Sequence, residues 1–288
     1  MHFVYRGDAD DVGIVGDMIG FRREDPMIRV EGTDLFYYST RLEPDAAVNY
    51  GFLVDYADPT PDPRNSDPGD GVFGEVSWFA MPAWQAPTHL GEAAPSRQGR
   101  LESIEWQSQV REGQTRPAKV YLPVGYDDNP DTRYPVLYVF RGDEALEQGA
   151  FKNTLDNLVG DKIEPVIAVM VLPVGEEPRA DIGDGESFLE MVTTELIPLV
   201  DERFRTLPDA ESRAVASTGS GADTALTAAF RHPEIFGRVG AIWPSLFEFS
   251  TTIANCDASY KTPATGRRVM KFPKDWVGRS TEATPMTC

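Results

Sequence analysis

Two short and almost unbroken apolar runs, Pro135–Phe140 (PVLYVF) and Val166–Leu172 (VIAVMVL), constrain the fold of this chain more than any other feature. They have the length of strands, and an apolar residue at nearly every position, rather than every second one, is what a strand covered on both faces requires. Such strands sit in the middle of parallel sheets, whose crossover connections lay helices over the two faces. Phe151, Leu155, Leu158 and Val159 recur at helical spacing between the two runs and supply one crossover. The same period in Phe188, Met191, Val192, Leu196, Leu199 and Val200 predicts a second helix over Phe188–Phe204, with Pro198 placed to kink it. A strand at Ala214–Ala216, a helix over Gly221–Arg231 and a strand at Val239–Ile242 continue the alternation, and Leu101–Val110 with Ala118–Leu122 predict an antiparallel pair entering the sheet.

No alternation of this kind precedes Leu101. Phe3–Tyr5, Val12–Val15, Leu35–Leu42 and Val48–Asp55 are short strand-like runs bounded by Gly, Asp or Pro. Strands spaced by turns without helices predict an immunoglobulin-like β-sandwich over residues 1–82. Pro59, Pro61, Pro63 and Pro68 mark a surface loop, and the Pro-, Gly- and Ala-rich stretch that follows predicts a linker over residues 83–100. Trp78, Phe79 and Trp84 are open to two uses, packing of the sandwich against the linker or stacking on a sugar or aryl ligand at the domain junction, and packing is the expected one. The second domain is expected over residues 101–250, with an irregular or disordered tail over 251–288. At 288 residues the chain is long enough for both domains to bury a core.

Charge and cysteine usage remove several function classes. The 46 acidic residues against 27 basic ones give a formal charge of −19, which repels phosphate backbones and anionic headgroups, so neither nucleic acid nor membrane is an expected partner. The start of the sequence has no basic-then-apolar leader and no apolar run reaches the length of a membrane span, so a cytoplasmic location is expected. The two cysteines, Cys256 and Cys288, and three scattered histidines offer no metal-ligand spacing, and no cofactor is implied. Asp181, Asp184 and Glu186, in a Gly-rich stretch, are expected to face solvent.

Between the strand at Ala214–Ala216 and the next helix, the chain reads Ser217, Thr218, Gly219, Ser220, Gly221, Ala222. Strand, small-residue turn, helix is the geometry of a nucleophile elbow, although ordinary loops also use such turns. The surrounding sequence is more specific: TELIPLVDERFRTLPDAESRAVA (Thr194–Ala216), FRHPEIFGRVGAIWPS (Phe230–Ser245), YPVLYVFRGD (Tyr134–Asp143), TLDNL (Thr154–Leu158) and the opening YRGDADDVGIVGDM (Tyr5–Met18). Together these resemble the enterochelin-esterase family of α/β hydrolases over about residues 3 to 247. The resemblance implies an α/β-hydrolase-like fold, a mostly parallel sheet flanked by helices, preceded by the sandwich. It also implies a serine esterase acting on ferric-siderophore or related small-molecule esters.

Aligned without a gap on both flanks, the family's elbow places its nucleophile position on Gly219, which has no side chain to attack with. Ser217 stands at the earlier elbow glycine, Gly221 keeps the later one, and a slip of one residue would make Ser220 the nucleophile. The oxyanion hole would fall on the backbone of Ser220 with Gly142 or Asp143. Arg141 stands where many relatives carry aspartate; it is open to contacting an anionic group or to pairing with Asp143 or Glu144, and Arg179 is expected to line the cleft. Hydrolysis also needs a histidine base. His232 belongs to the family's HPE and sits a dozen residues past the elbow along a helix, so a structural role is expected, while His2 and His89 fall in the first strand and the linker. The family's acid and histidine follow the strand ending near Ser245, and Lys261–Cys288 does not resemble that continuation. The expectation is therefore a degenerate, C-terminally truncated family member, impaired in catalysis. An active ester hydrolase using Ser220 and a non-enzymatic binding or interaction protein are the alternatives.

Overall fold

The computed structural model describes residues 1–20, 24–71, 74–175, 181–182 and 185–244; the tail expected over 251–288 and the candidate Arg179 lie outside them. The chain divides into two compact units, Met1–Pro87 and Thr88–Cys288.

The first unit is built from two antiparallel sheets. One has the order β1 (His2–Arg6), β5 (Leu35–Ser39), β4 (Ile28–Arg29); the other runs β3 (Asp25–Pro26), β2 (Val12–Gly16), β6 (Ala47–Val54), β8 (Gly74–Ala80), β7 (Pro68–Gly71). Residues from both sheets, among them Phe3, Ile14, Phe36, Tyr50 and Phe52, share one buried cluster. Its rings meet edge-on or tilted, with Phe3 4.7 Å from Tyr50 and Tyr50 5.8 Å from Phe79. Phe79 thus packs against the core, and Trp78 stands edge-to-face with Trp84 at 5.2 Å, so packing is the use these aromatics have. Strands β3, β4, β7 and β8 were not among the expected ones, and of these only β8 is longer than four residues.

In the second unit six strands lie in the order β14 (Arg238–Ile242), β13 (Arg213–Thr218), β11 (Val136–Phe140), β12 (Ile167–Val171), β10 (Gln114–Leu122), β9 (Arg100–Ser108). The first four are mutually parallel, and β10 and β9 extend them as an antiparallel hairpin. The two apolar runs are central, and alternate side chains feed opposite faces. Tyr138, Phe140, Val169 and Val171 join helices α3 (Gly185–Met191), α4 (Ile197–Arg203) and α5 (Gly219–Arg231), whereas Val139, Ala168 and Met170 meet α1 (Gly142–Glu147) and α2 (Phe151–Leu158). Burying each such side chain contributes about 1.5–3 kcal/mol, so a polar residue in either run would be costly. Among the described residues no helix is long and apolar enough to cross a membrane.

Helix α3 does not run straight into α4. A π-helical segment, Val192–Leu196, separates them immediately before Pro198. Proline has no N–H to donate and its ring crowds the preceding turn, so a wider turn ahead of it is the expected accommodation. The segment carries Glu195, whose carboxylate accepts the Gln109 and Val110 amides at 2.8 and 3.0 Å and the Trp106 indole N–H at 3.3 Å. These bonds tie the turn of the β9–β10 hairpin to the helical layer.

The TLDNL motif has a comparable structural task. From α2, Asp156 accepts the Gly99 amide at 2.8 Å and the Tyr121 hydroxyl at 3.0 Å, with the Lys152 ammonium at 2.5 Å. Asn157 donates to the carbonyls of His89 and Gly91 at 3.1 and 2.8 Å, and Asn153 donates to that of Leu90 at 3.0 Å. The short 3-10 turns Thr88–Leu90 and Pro95–Arg97 are thereby fastened along α2.

Two stability predictions follow from these anchors. Asp156→Ala strands a buried hydroxyl and amide and is expected to destabilise the chain by about 2–4 kcal/mol in urea unfolding, with Asp156→Asn losing roughly half as much because its amide oxygen still accepts. At Glu195, burial pushes the carboxyl up, but hydrogen bonds from Ser108, Val110, Trp106 and Gln109 outweigh it and hold the group below its usual 4.5. A depressed folded-state value adds stability above the unfolded pKa that is lost as pH falls through the folded one. The stability gap between the natural chain and Glu195→Gln should therefore be full at pH 7 and shrink as the pH is taken below about 4.5.

Candidate active site

Because β11, β13 and β14 are parallel neighbours, their carboxyl ends emerge at one edge of the sheet, which is where ligands of open α/β folds bind. The register aligns Val139 with Ala216, Ala216 with Gly240 and Thr218 with Ile242. Just beyond, each strand leaves the sheet through a left-handed residue: Arg141 at φ 58°, Gly219 at 53° and Trp243 at 58°.

At the central turn, Thr218 is extended (φ −117°, ψ 158°) and α5 begins at Gly219 without a side-chain cap from Thr218. The apex of the bend, the position with positive φ, is therefore residue 219. A side chain built on Gly219 would meet nothing within 4 Å, so it would project into open space, as an exposed nucleophile must. Ser220 lies one residue further on, within the backbone of α5; its side chain is outside the described residues. Ser217, in place of the elbow's first glycine, is buried and donates its hydroxyl to the Phe140 carbonyl at 2.8 Å, tying the ends of β13 and β11 together. That hydroxyl explains why Gly221 has no side chain: a Cβ there would collide with Ser217 Oγ and come within 3.1 Å of Arg141 Cγ.

Arg141 resolves in favour of its own neighbours. Its side chain is only 8% exposed, Nε lies 3.6 Å from Asp143 Oδ1, and the guanidinium donates to Glu144. The arginine therefore lies along the first turn of α1, hydrogen-bonded to Glu144 and ion-paired with Asp143. The candidate oxyanion donors, the amides of Gly142, Asp143 and Ser220, belong to the first turns of α1 and α5, where backbone N–H groups have no intrahelical acceptor.

The histidines are elsewhere. His2 bonds Ser39 at 2.7 Å in the first unit, His89 belongs to the segment fastened along α2, and His232 stands at the C-cap of α5, about 20 Å from Gly219 at the helical rise. Asp181 corrects an expectation. Instead of facing solvent, its carboxylate grips the fully buried Arg116 in a two-pronged pair at 2.8 and 2.6 Å and also accepts the Val174 amide at 3.1 Å. Glu186 is exposed and pairs with Arg231 at 3.1 Å, while Asp184 lies outside the described residues. Among the described residues no group of His, Cys, Asp and Glu is arranged to hold a metal ion. Trp243 escaped the sequence analysis; the signal was its place directly after a parallel strand, on the ligand-facing edge.

Comparison with known proteins agrees with this geometry. The chain is 33% identical over 193 residues to an endo-1,4-beta-xylanase/feruloyl esterase of Xylanibacter ruminicola, a stretch that is 62% of this chain and 26% of that protein. It is 25% identical over 262 residues to an iron(III) enterobactin esterase of Dickeya dadantii, covering 77% of this chain and 59% of the relative. The chain thus spans about a quarter of the first relative and three fifths of the second. In fold it is similar to the ferric enterobactin esterase of Salmonella typhimurium, with a TM-score of 0.61 over 83% of this chain and 70% of that one at 20% identity. Residues 110–259, more than half of the chain and inclusive of the Arg141 turn, the elbow and β14, match the Putative esterase family, and the chain belongs to it.

Proposed function

We propose that this chain is an enterochelin-esterase-type protein that holds a small ester or siderophore-like ligand at the carboxyl edge of its sheet and is impaired in hydrolysing it. The observation that carries the reading is the glycine at the elbow's apex, with φ 53° and open space where a side chain would stand. Acyl transfer needs an attacking hydroxyl with a histidine to take its proton. The Ser217 hydroxyl is committed to Phe140, and Ser220 is a residue past the apex, within the backbone of α5. Backbone donors need no particular side chain, so the amides of Ser220 and of Gly142 or Asp143 remain available to a ligand carbonyl. The names of the relatives support an ester ligand of the siderophore or related class. The same reading assigns the first unit to the immunoglobulin-like sandwiches, on the strength of its two antiparallel sheets over a shared aromatic core.

Turnover of 4-nitrophenyl butyrate tests the impairment. The expected result is no release above the uncatalysed rate, equal for the natural chain and Ser220→Ala, with no serine labelled by a fluorophosphonate. Labelling of Ser220, or turnover that Ser220→Ala removes, overturns it. Gly219→Ser tests the apex itself. A non-glycine residue in the left-handed region costs about 1–2 kcal/mol, and with no clash to add to that, the variant should fold and lose only a few degrees in Tm. A loss of the fold would mean that the apex is not open.

A further inference from the structure

We propose that Trp243 is a stacking platform for a flat, uncharged ring of the ligand, set beside the elbow. This deepens the reading above and rests on it for the presence of a ligand at the elbow, not for the loss of hydrolysis. The placement comes from strand register. Thr218 pairs with Ile242 across the parallel strands, so the next residues, Gly219 and Trp243, leave the sheet side by side, with neighbouring strands about 4.8 Å apart. Trp243 is 69% exposed, although an indole is among the side chains that gain most from burial. It is also held at φ 58°, where a bulky residue is an outlier costing roughly 1–3 kcal/mol. An exposed aromatic held in a strained conformation, next to an apex with nothing within 4 Å of the missing side chain, leaves one open ring face and the room to approach it.

Charge selects what stacks there. Two strands away, Arg141 is engaged by both Asp143 and Glu144, leaving that strand end with a net charge of about −1 within a chain of −19. An anionic ring is repelled by this field. A cationic one finds Glu144 hydrogen-bonded to the guanidinium and Asp143 ion-paired with it at 3.6 Å, and a single indole is not a cage of several aromatic rings. An uncharged ring meets neither obstacle. Its face is supplied either by an aryl group or by the apolar face of a sugar, and its attached carbonyl would reach toward the first-turn amides of α5.

The test uses the full chain with four probes: acetanilide as a neutral aryl amide, methyl β-glucopyranoside as a neutral sugar, and benzoate and benzyltrimethylammonium as charged rings. Titrations are followed by tryptophan fluorescence and checked by ligand-observed NMR, which does not depend on the indole signal. The expected result is that one neutral probe binds, which assigns the ring as aryl or sugar, and that Trp243→Ala weakens it by at least roughly fivefold while Trp243→Phe keeps most of the affinity. Because the indole is exposed, Trp243→Ala should melt within a degree or two of the natural chain. Undiminished binding by Trp243→Ala, binding confined to the charged probes, or no binding by either neutral ring overturns the proposal. Should the chain prove to hydrolyse esters, a rise in KM with unchanged kcat in Trp243→Ala would sustain the stacking role while the impairment falls.

Discussion

The parallel pairing of β11, β13 and β14 is the constraint on which the rest of the second unit depends. Parallel strands run in the same direction, so their carboxyl ends open at one edge, and any chemistry built there comes from turns that are distant in sequence. The pairing depends in turn on strands that can be covered on both faces, which is why Val136–Phe140 and Ile167–Val171 are apolar throughout. Helices α1 and α2 close one face and α3, α4 and α5 the other. Arg141 and Gly219 are consequences of this arrangement: each is the residue at which a buried strand turns sharply to start a helix, and Trp243 follows the end of β14 at the same edge.

What such an edge offers divides into backbone and side-chain contributions, and the two are independent. The first-turn amides of α1 and α5 come with the fold, since four N–H groups at every helix start lack an intrahelical acceptor. The nucleophile does not. The elbow here keeps its bend, its helix and its close approach of Ser217 to Gly221, while its apex is a glycine. Ser217 even reinforces the bend, since its hydroxyl adds a bond between adjacent strand ends that a glycine would not make. Recognition of a carbonyl and attack upon it are therefore separable demands, the first met by backbone and the second by a side chain.

The layered second unit was legible because period and length agree there: two continuous apolar runs, two helical stripes and a glycine-rich turn between strand and helix all match observed elements within a few residues. Strand β8 was missed because Gly74–Ala80 follows a proline- and glycine-rich loop and its Trp78 and Phe79 invited a ligand reading. The π segment was not legible, since Pro198 announces a disturbance without saying whether the helix bends, breaks or widens. Asp181 was misjudged for a related reason. A carboxylate in a Gly-rich stretch looks solvated, and its partner, Arg116, lies 65 residues earlier on a strand where alternation alone points it inward. At the candidate site, the resemblance points to Gly219, which is also a residue of positive φ, whereas Trp243 carried no motif and was visible only once strand register was known.

The motifs that make the family recognisable are largely scaffold. In TLDNL, Asp156 and Asn157 fasten the segment that precedes β9, and in HPE the histidine caps the far end of α5 beside Glu234 at 3.4 Å. Replacing Asp156 strands a buried amide and a buried hydroxyl and is opposed by folding. The apex behaves in the opposite way. A serine there would sit in the left-handed region at a cost of about 1–2 kcal/mol, strain that an active hydrolase tolerates for the sake of its exposed hydroxyl. Glycine at φ 53° relieves that strain, so stability holds the frame of the site in place and makes no demand for a side chain at its apex.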